Sequence, residues 1–417
     1  MKKRIFQFNF RQRQGVRFFR CLTATLLLLF AAACSNDVFD PEKQQQPSNT
    51  TELKVPASFS WATTRSVNLT IHTPVTTLIS LYGDEKGQEL LAEAVVTKES
   101  PTTLSIDLPT TKKSIYVGYT AKGAQQMLKQ DVTPSTRANT SITLPETVDW
   151  YNIETGDASK GDMTIYMPSK GQFGTLLFED MYPSKGDYDM NDFVAGYYVA
   201  PFISVGNKET FYEGADLQLQ IRAIGGTNPY RLCVELSPLL TSDIVDATGT
   251  YYTTTSSNPD IELELLSSGD EPVIFAVNGT NSLKEGSFFN TEEASSQAMP
   301  IVTLSIKRDL QDNVEATGRF SLLTTSESYN FFLQNTKDNQ EIHLKGYSVT
   351  ALASNNDHLF ATSDNFVWGI KVPTLIAHPK ERTDISQAYP RFASWVTSGG
   401  TTDTDWYTSC NSSLVIQ

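Results

Sequence analysis

Phe178 to Phe193 reads F-E-D-M-Y-P-S-K-G-D-Y-D-M-N-D-F, which places five acidic side chains and an asparagine around the turn at Gly186. Asp187, Asp189 and Asn191 alternate, Asp192 follows at once, and Glu179 and Asp180 precede the turn, so a chain folded back at Gly186 points these oxygens toward one centre. Carboxylates gathered in this way repel one another unless a cation neutralises them. An all-oxygen set on a flexible loop suits Ca²⁺ better than zinc or copper, which prefer His and Cys. The chain has four His, and none lies in this stretch. The D-x-D-x-N spacing matches the first three side-chain ligands of an EF-hand loop. The sixth position, however, is Asp192 where the sharp turn needs Gly, and the twelfth is Tyr198 where a bidentate Glu belongs. An EF-hand is therefore excluded. A calcium loop of a β domain remains, with Asp187, Asp189, Asn191 and Asp192 as principal ligands and Glu179 and Asp180 as contributors. The competing account is a loop whose Asp and Asn side chains bond their own backbone in Asx-turns.

A second constellation lies near the C-terminus, where Trp395, Asp405, Trp406 and Tyr407 stand together with Asp403. Aromatic faces stack on sugars and carboxylates bond hydroxyls, so these four are candidate ligand-binding residues. Packing is the competing account, because aromatic side chains dominate cores on area alone. Two of these acids, or Asp187 with Asp192, could be cast as a glycosidase pair, but that needs a defined separation and one carboxyl with a raised pKa. No Ser-His-Asp order, phosphate loop, HExxH or CxxC pattern occurs, and His343, His358 and His378 have no ligand-like spacing. The chain is expected not to be an enzyme.

The first 33 residues read as a targeting segment. Lys2, Lys3, Arg4, Arg11, Arg13, Arg17 and Arg20 form a basic region, and the apolar run from Leu22 to Phe30 is too short for a permanent membrane helix. Ala31-Ala32-Ala33-Cys34 resembles the lipobox of bacterial lipoproteins, which makes Cys34 the expected lipidated residue, although Ala31 stands where Leu is usual. Ser35 in place of Asp leans toward the outer membrane, and Asp37, Asp40 and Glu42 resemble the surface-export signals of Bacteroidota lipoproteins. The whole chain carries 33 basic and 47 acidic residues; without the seven basic residues of the targeting segment 26 remain, a net charge of −21. Such an excess argues against nucleic acid and anionic lipid surfaces as partners. Beyond Cys34 only Cys233 and Cys410 could form an internal disulfide, and 176 residues separate them, so pairing and two free thiols both stay open.

Residues 34–52 are rich in Asn, Asp, Gln and Pro without apolar periodicity and read as a flexible tether. Residues 53–148 alternate in short runs, as in Val67, Leu69, Ile71 and again Leu104, Ile106, Leu108, separated by turn residues. Some seven strands in this length predict an immunoglobulin-like β-sandwich. Residues 149–417 continue the alternation at Leu217, Leu219, Ile221 and at Val302, Leu304, Ile306, which predicts a larger β-sandwich or jelly-roll-like domain. The fold class expected is thus mainly β. Asp384-Ile385-Ser386-Gln387 predicts a short C-terminal helical segment with Asp384 as cap, interrupted at Pro390. Pro168-Ser169-Lys170-Gly171 recurs as Pro183-Ser184-Lys185-Gly186, both ordinary turn sequences.

Two blocks carry a family resemblance. Gly174 to Val194 resembles the signature of the LruC domain, found in surface lipoproteins of Bacteroidota and some spirochaetes. Asn365 to Pro373 with the segment from Ile385 to Trp395, Ser398-Gly399-Gly400 and Asp405-Trp406-Tyr407 agrees with it. The resemblance covers about two thirds of the chain and implies an exported, lipid-anchored β protein with a cation site, rather than any particular activity. The expectation is therefore a non-enzymatic binding or adhesion module on the cell surface, lipid-anchored in the outer membrane, with a structural Ca²⁺ and a glycan or protein ligand. Two rivals stand beside it: a carbohydrate-active enzyme of the cell surface, and an anchor or structural subunit of a surface fibre.

Overall fold

Alternating apolar residues, one face in and one face out, build most of this chain. The computed structural model describes residues 49–132, 139–146, 149–150, 162–205, 211–245, 247–310 and 318–417. The targeting segment, Cys34 and most of the expected tether lie outside these residues. Strands β1 (Thr64–His72), β2 (Thr77–Tyr82), β3 (Leu90–Val96), β4 (Thr102–Pro109), β5 (Ser114–Ala121), β6 (Ala124–Asp131) and β7 (Thr140–Thr143) form the N-terminal sandwich. On one side β1 lies between β4, antiparallel, and β7, parallel; on the other the order is β3-β2-β5-β6. Val67, Leu69 and Ile71 meet Ile79, Leu81, Ile115 and Val117 between the layers, all almost fully buried. The intervening residues of β1 are polar, which is why only one of its faces is buried.

The sheet does not stop there. Strand β8 (Met163–Ile165) pairs with β3 on one side and with β10 (Phe193–Val205) on the other, and β9 (Gly174–Phe178) pairs with the first half of β10. One flank of β10 is thus shared by β9 and β8, while β11 (Phe211–Ala223) runs along the other. The second layer is a five-stranded sheet, which includes β12 (Tyr230–Leu240). After α1 (Thr241–Val245) come β13 (Thr250–Ser256), β14 (Glu262–Leu265), β15 (Pro272–Asn278), β16 (Ile301–Leu310), β17 (Tyr329–Asn335), β18 (Glu341–His343) and β19 (Gly369–Val372). The five-stranded order is β14-β15-β12-β17-β18, and the continuous sheet of eleven strands ends in β11, β16 and β13. One hydrophobic core, from Val67 to Trp368, runs through both parts, and residues 49–417 form one compact unit. The expected boundary between 148 and 149 falls beside residues outside the description.

Strand β9 is buried on both faces, which explains its unbroken G-T-L-L-F run. Leu176 and Phe178 face the main core; Leu177 faces a second cluster with Ile370, Val372, Phe392, Trp395 and Trp406. That cluster is covered by α2 (Ile385–Ala388) and α3 (Phe392–Thr397), the two-piece helix expected around Pro390. Strands β20 (His378–Pro379) and β21 (Val415–Ile416) pair to close the C-terminus. Asp384 caps α2, its carboxylate accepting from Ser386 N at 2.8 Å and from Thr50 N at 2.7 Å. Thr50 Oγ1 adds a bond of 2.6 Å to the same group, and Leu53 is buried. Residues 49–52, read as tether, are therefore packed against the fold, held by a partner more than three hundred residues away that no local pattern announces.

Candidate metal centre

The acidic loop joins β9 to β10, and the register Phe178↔Phe193 fixes both of its feet. Glu179 N donates to Trp368 O at 2.9 Å, and Trp368 Nε1 donates to Ser184 O at 2.6 Å, so β19 and its approach brace the outward arm. Tyr188 and Met190 adopt left-handed backbone with φ of 58° and 54°. This region costs a residue with a Cβ about 1–2 kcal/mol. Both side chains are fully buried in the second cluster, and Tyr188 Oη donates to Val367 O at 3.0 Å. The alternation D-Y-D-M-N thus has a purpose on each side. Its apolar members anchor the loop, while Asp187, Asp189 and Asn191 are free to turn toward Glu179 and toward the chain beyond β20.

Glu179, Asp187 and Asp189 each offer an oxygen, and the three lie within 4.8 Å of one another. Glu179 and Asp189 are buried, Asp187 is exposed. Glu179 Oε1 accepts from Met190 N at 2.7 Å, while Oε2 is buried without a partner. A Cβ on Gly186 would stand 2.2 Å from that free oxygen, so only glycine closes the turn over it, and its φ of 73° suits glycine as well. Asp189 accepts from Asn191 N at 3.2 Å and from Arg382 N at 2.7 Å. The first of these is an Asx-turn, so that reading holds for Asp189, but it leaves Glu179 Oε2 unexplained. Burial raises the Glu179 carboxyl well above its ordinary range, and the charges of Asp192, Asp189 and Asp187 raise it further. Asp189 is pushed to about 7, by burial first and by Asp187 second. Burial and neighbouring acids thus raise both carboxyls, an arrangement in which a divalent cation is a natural counter-ion.

The remaining loop residues are placed differently. Asp192 Oδ2 accepts from Asp180 N at 2.7 Å, and Asp180 Oδ2 accepts from Asn228 N at 3.1 Å. Lys284 donates to Gly226 O at 2.8 Å and feels the charges of both Asp180 and Asp192, so this pair has a cation of its own. Burial and then the Asp180 charge push Asp192 to about 9. Asn191 donates through Nδ2 to Pro379 O at 3.2 Å, and its Oδ1 is buried without a partner. Sequence reasoning missed Glu381. Its Oε2 is likewise buried and unpartnered, and it lies near Asn191 Oδ1 beside Gly225. Nothing in the K-E-R context around Glu381 signals that role.

The C-terminal candidates form the aromatic core of the second cluster. Trp395 is 1% exposed, Trp406 0% and Tyr407 6%, so none presents a stacking face to solvent. Trp395 and Trp406 lie 5.4 Å apart between centroids, and Phe392 meets Trp406 edge-on at 4.9 Å. Asp405 accepts from Arg391 Nη1 at 2.9 Å. Cys233, buried, and Cys410, exposed, are both free thiols.

Residues 213–407 match the model of a family described as a domain of unknown function, DUF4842. The matched span includes Glu381 and the aromatic cluster but begins after the acidic loop. A search of curated proteins finds no match to this chain. Among solved structures the chain is similar to one described as a "Putative lipoprotein from Bacteroides ovatus", with a TM-score of 0.64 and 22% identity over 82% of this chain and 100% of that one. The likeness establishes the shared β fold, with its extended antiparallel sheets and sandwich layers.

Proposed function

We propose that this chain is a lipid-anchored protein of the bacterial cell surface, of LruC-domain type, that serves binding or adhesion and whose β9–β10 loop is held by a structural Ca²⁺. The calcium reading rests on one observation above the others: Glu179 Oε2 is fully buried without a hydrogen-bond partner, in a carboxylate that offers an oxygen within 4.8 Å of oxygens of Asp187 and Asp189. An orphaned buried carboxylate oxygen is expensive, and a hard oxygen-loving cation removes both the desolvation and the mutual repulsion. Anchoring through Cys34 is supported by the lipobox-like Ala31-Ala32-Ala33-Cys34 and by the likeness to a protein described as a lipoprotein. The residues that would hold the ion are Glu179, Asp187 and Asp189, on a loop too well braced for a sensing role.

Calcium at about a hundred times its dissociation constant stabilises the folded state by about 2.7 kcal/mol. A chelator should therefore lower the melting temperature of the soluble chain by about 3–4 °C. The double substitution Asp187→Ala with Asp189→Ala should erase that difference, and a wild-type melting curve indifferent to chelator and calcium alike would remove the metal from the proposal. Anchoring is read separately: Cys34→Ser should shift the protein from the membrane to the soluble fraction, and protease shaving of intact cells should degrade the wild type.

A further inference from the structure

Two buried oxygens outside the carboxylate trio also lack partners, and they face the same small space. A Cβ built on Gly225 would lie 2.1 Å from Asn191 Oδ1 and 3.0 Å from Glu381 Oε2. Neither oxygen has a hydrogen bond of ordinary geometry, although the buried Thr291 hydroxyl lies beside the Glu381 carboxyl and favours its ionised form, and Asn191 is 0% exposed. An amide oxygen and a carboxylate oxygen are both acceptors, so no proton arrangement lets an ionised Glu381 satisfy Asn191 Oδ1 directly. A cation between them does.

The segment that carries Glu381 is seated on the loop by backbone bonds. Arg382 N donates to Asp189 Oδ2 at 2.7 Å, Ile385 N to Tyr188 O at 2.8 Å and Asn191 Nδ2 to Pro379 O at 3.2 Å. Glu381 N in turn donates to Thr291 O at 3.0 Å. The charged groups that Glu381 feels are Asp187, the Arg382 guanidinium and Glu292, so two acids outnumber one exposed cation. Resting on the calcium reading of the loop, we propose that Glu381, which stands outside the 4.8 Å carboxylate trio, turns in as a further ligand of its cation, joined by Asn191 Oδ1. The ion then clasps residues 379–385, and with them α2, to the β9–β10 loop. Ligands separated by nearly two hundred residues make the site a fastener between distant parts of the chain. Gly225 is the open wall that leaves room for it.

Calcium titration calorimetry on the soluble chain tests this, with hydrogen exchange of residues 380–397 followed alongside. Glu381→Gln should weaken calcium binding at least tenfold. In the wild type, calcium should slow exchange across 380–397, and in Glu381→Gln it should not. If Glu381→Gln binds calcium as tightly as the wild type while Asp187→Ala with Asp189→Ala loses binding, Glu381 is no ligand and the loop site stands alone. If the wild type itself binds no calcium, the loop reading fails first. Equal melting temperatures of wild type and Glu381→Gln in chelator show that the variant folds. Should it not fold, Glu381→Asp takes its place: a tenfold loss with intact chelator melting supports the clasp, and unchanged affinity overturns it.

Discussion

Glu179 has one oxygen satisfied by Met190 N and one satisfied by nothing, and this imbalance has a measurable consequence for pH. Folded-state carboxyls raised above their ordinary values, Asp189 to about 7 and Asp192 to about 9, hold protons that the unfolded chain has already released. Raising the pH through that window therefore removes stability, because the native state must give up protons that it binds more tightly. In chelator the melting temperature should fall between pH 6.5 and 9. In saturating calcium the share of this fall that comes from Asp189 should disappear, because the ion displaces its proton, while the share that comes from Asp192, outside the trio, should remain. A chelated protein that melts at the same temperature throughout would show that these carboxyls ionise normally. At this scale the D-x-D-x-N spacing singled out Asp187 and Asp189, which the fold brings within 4.8 Å of Glu179. The nearness of Glu381 to Asn191 was not readable, because it exists only after the chain has folded.

Elements followed their patterns where an element has one. Val67, Leu69, Ile71 and Leu217, Leu219, Ile221 alternate because each strand buries a single face, and β9 reads as an unbroken apolar run because it buries two. The helical segment split at Pro390 as proline chemistry requires. The three residues of β8 carry too few positions for any period, although they join the two parts of the large sheet. Residues 49–52 read as tether for a related reason: their order comes from Asp384, not from their own pattern. Asp384 accepts from Thr50 N, Thr50 Oγ1, Ser386 N and Ser386 Oγ. Asp384→Ala removes a helix cap and leaves Thr50 unpaired, a loss of about 3 kcal/mol. Limited proteolysis should then cut near Leu53 in the variant while sparing the wild type. An uncut variant with wild-type melting would show that Thr50 is held by other contacts.

For the molecule as a whole, β4 and β19 are tied by a mostly buried ion pair, Lys371 Nζ to Asp107 Oδ2 at 3.4 Å. Breaking one partner strands the other charge, so Lys371→Met alone should cost about 3 kcal/mol or more. Lys371→Met with Asp107→Leu should recover most of that loss, and calorimetry should keep one unfolding transition for wild type and double variant. Two separated transitions would show that the shared sheet does not couple the two parts. The bond from Thr50 to Asp384 also sets how the protein meets mechanical force. A pull on the chain ahead of Asn49 enters the fold at the start of α2, next to Ile385 and its bond to Tyr188, before it reaches β1. Load is thus passed to the braced loop between β9 and β10, and the N-terminal sandwich is spared until that junction yields.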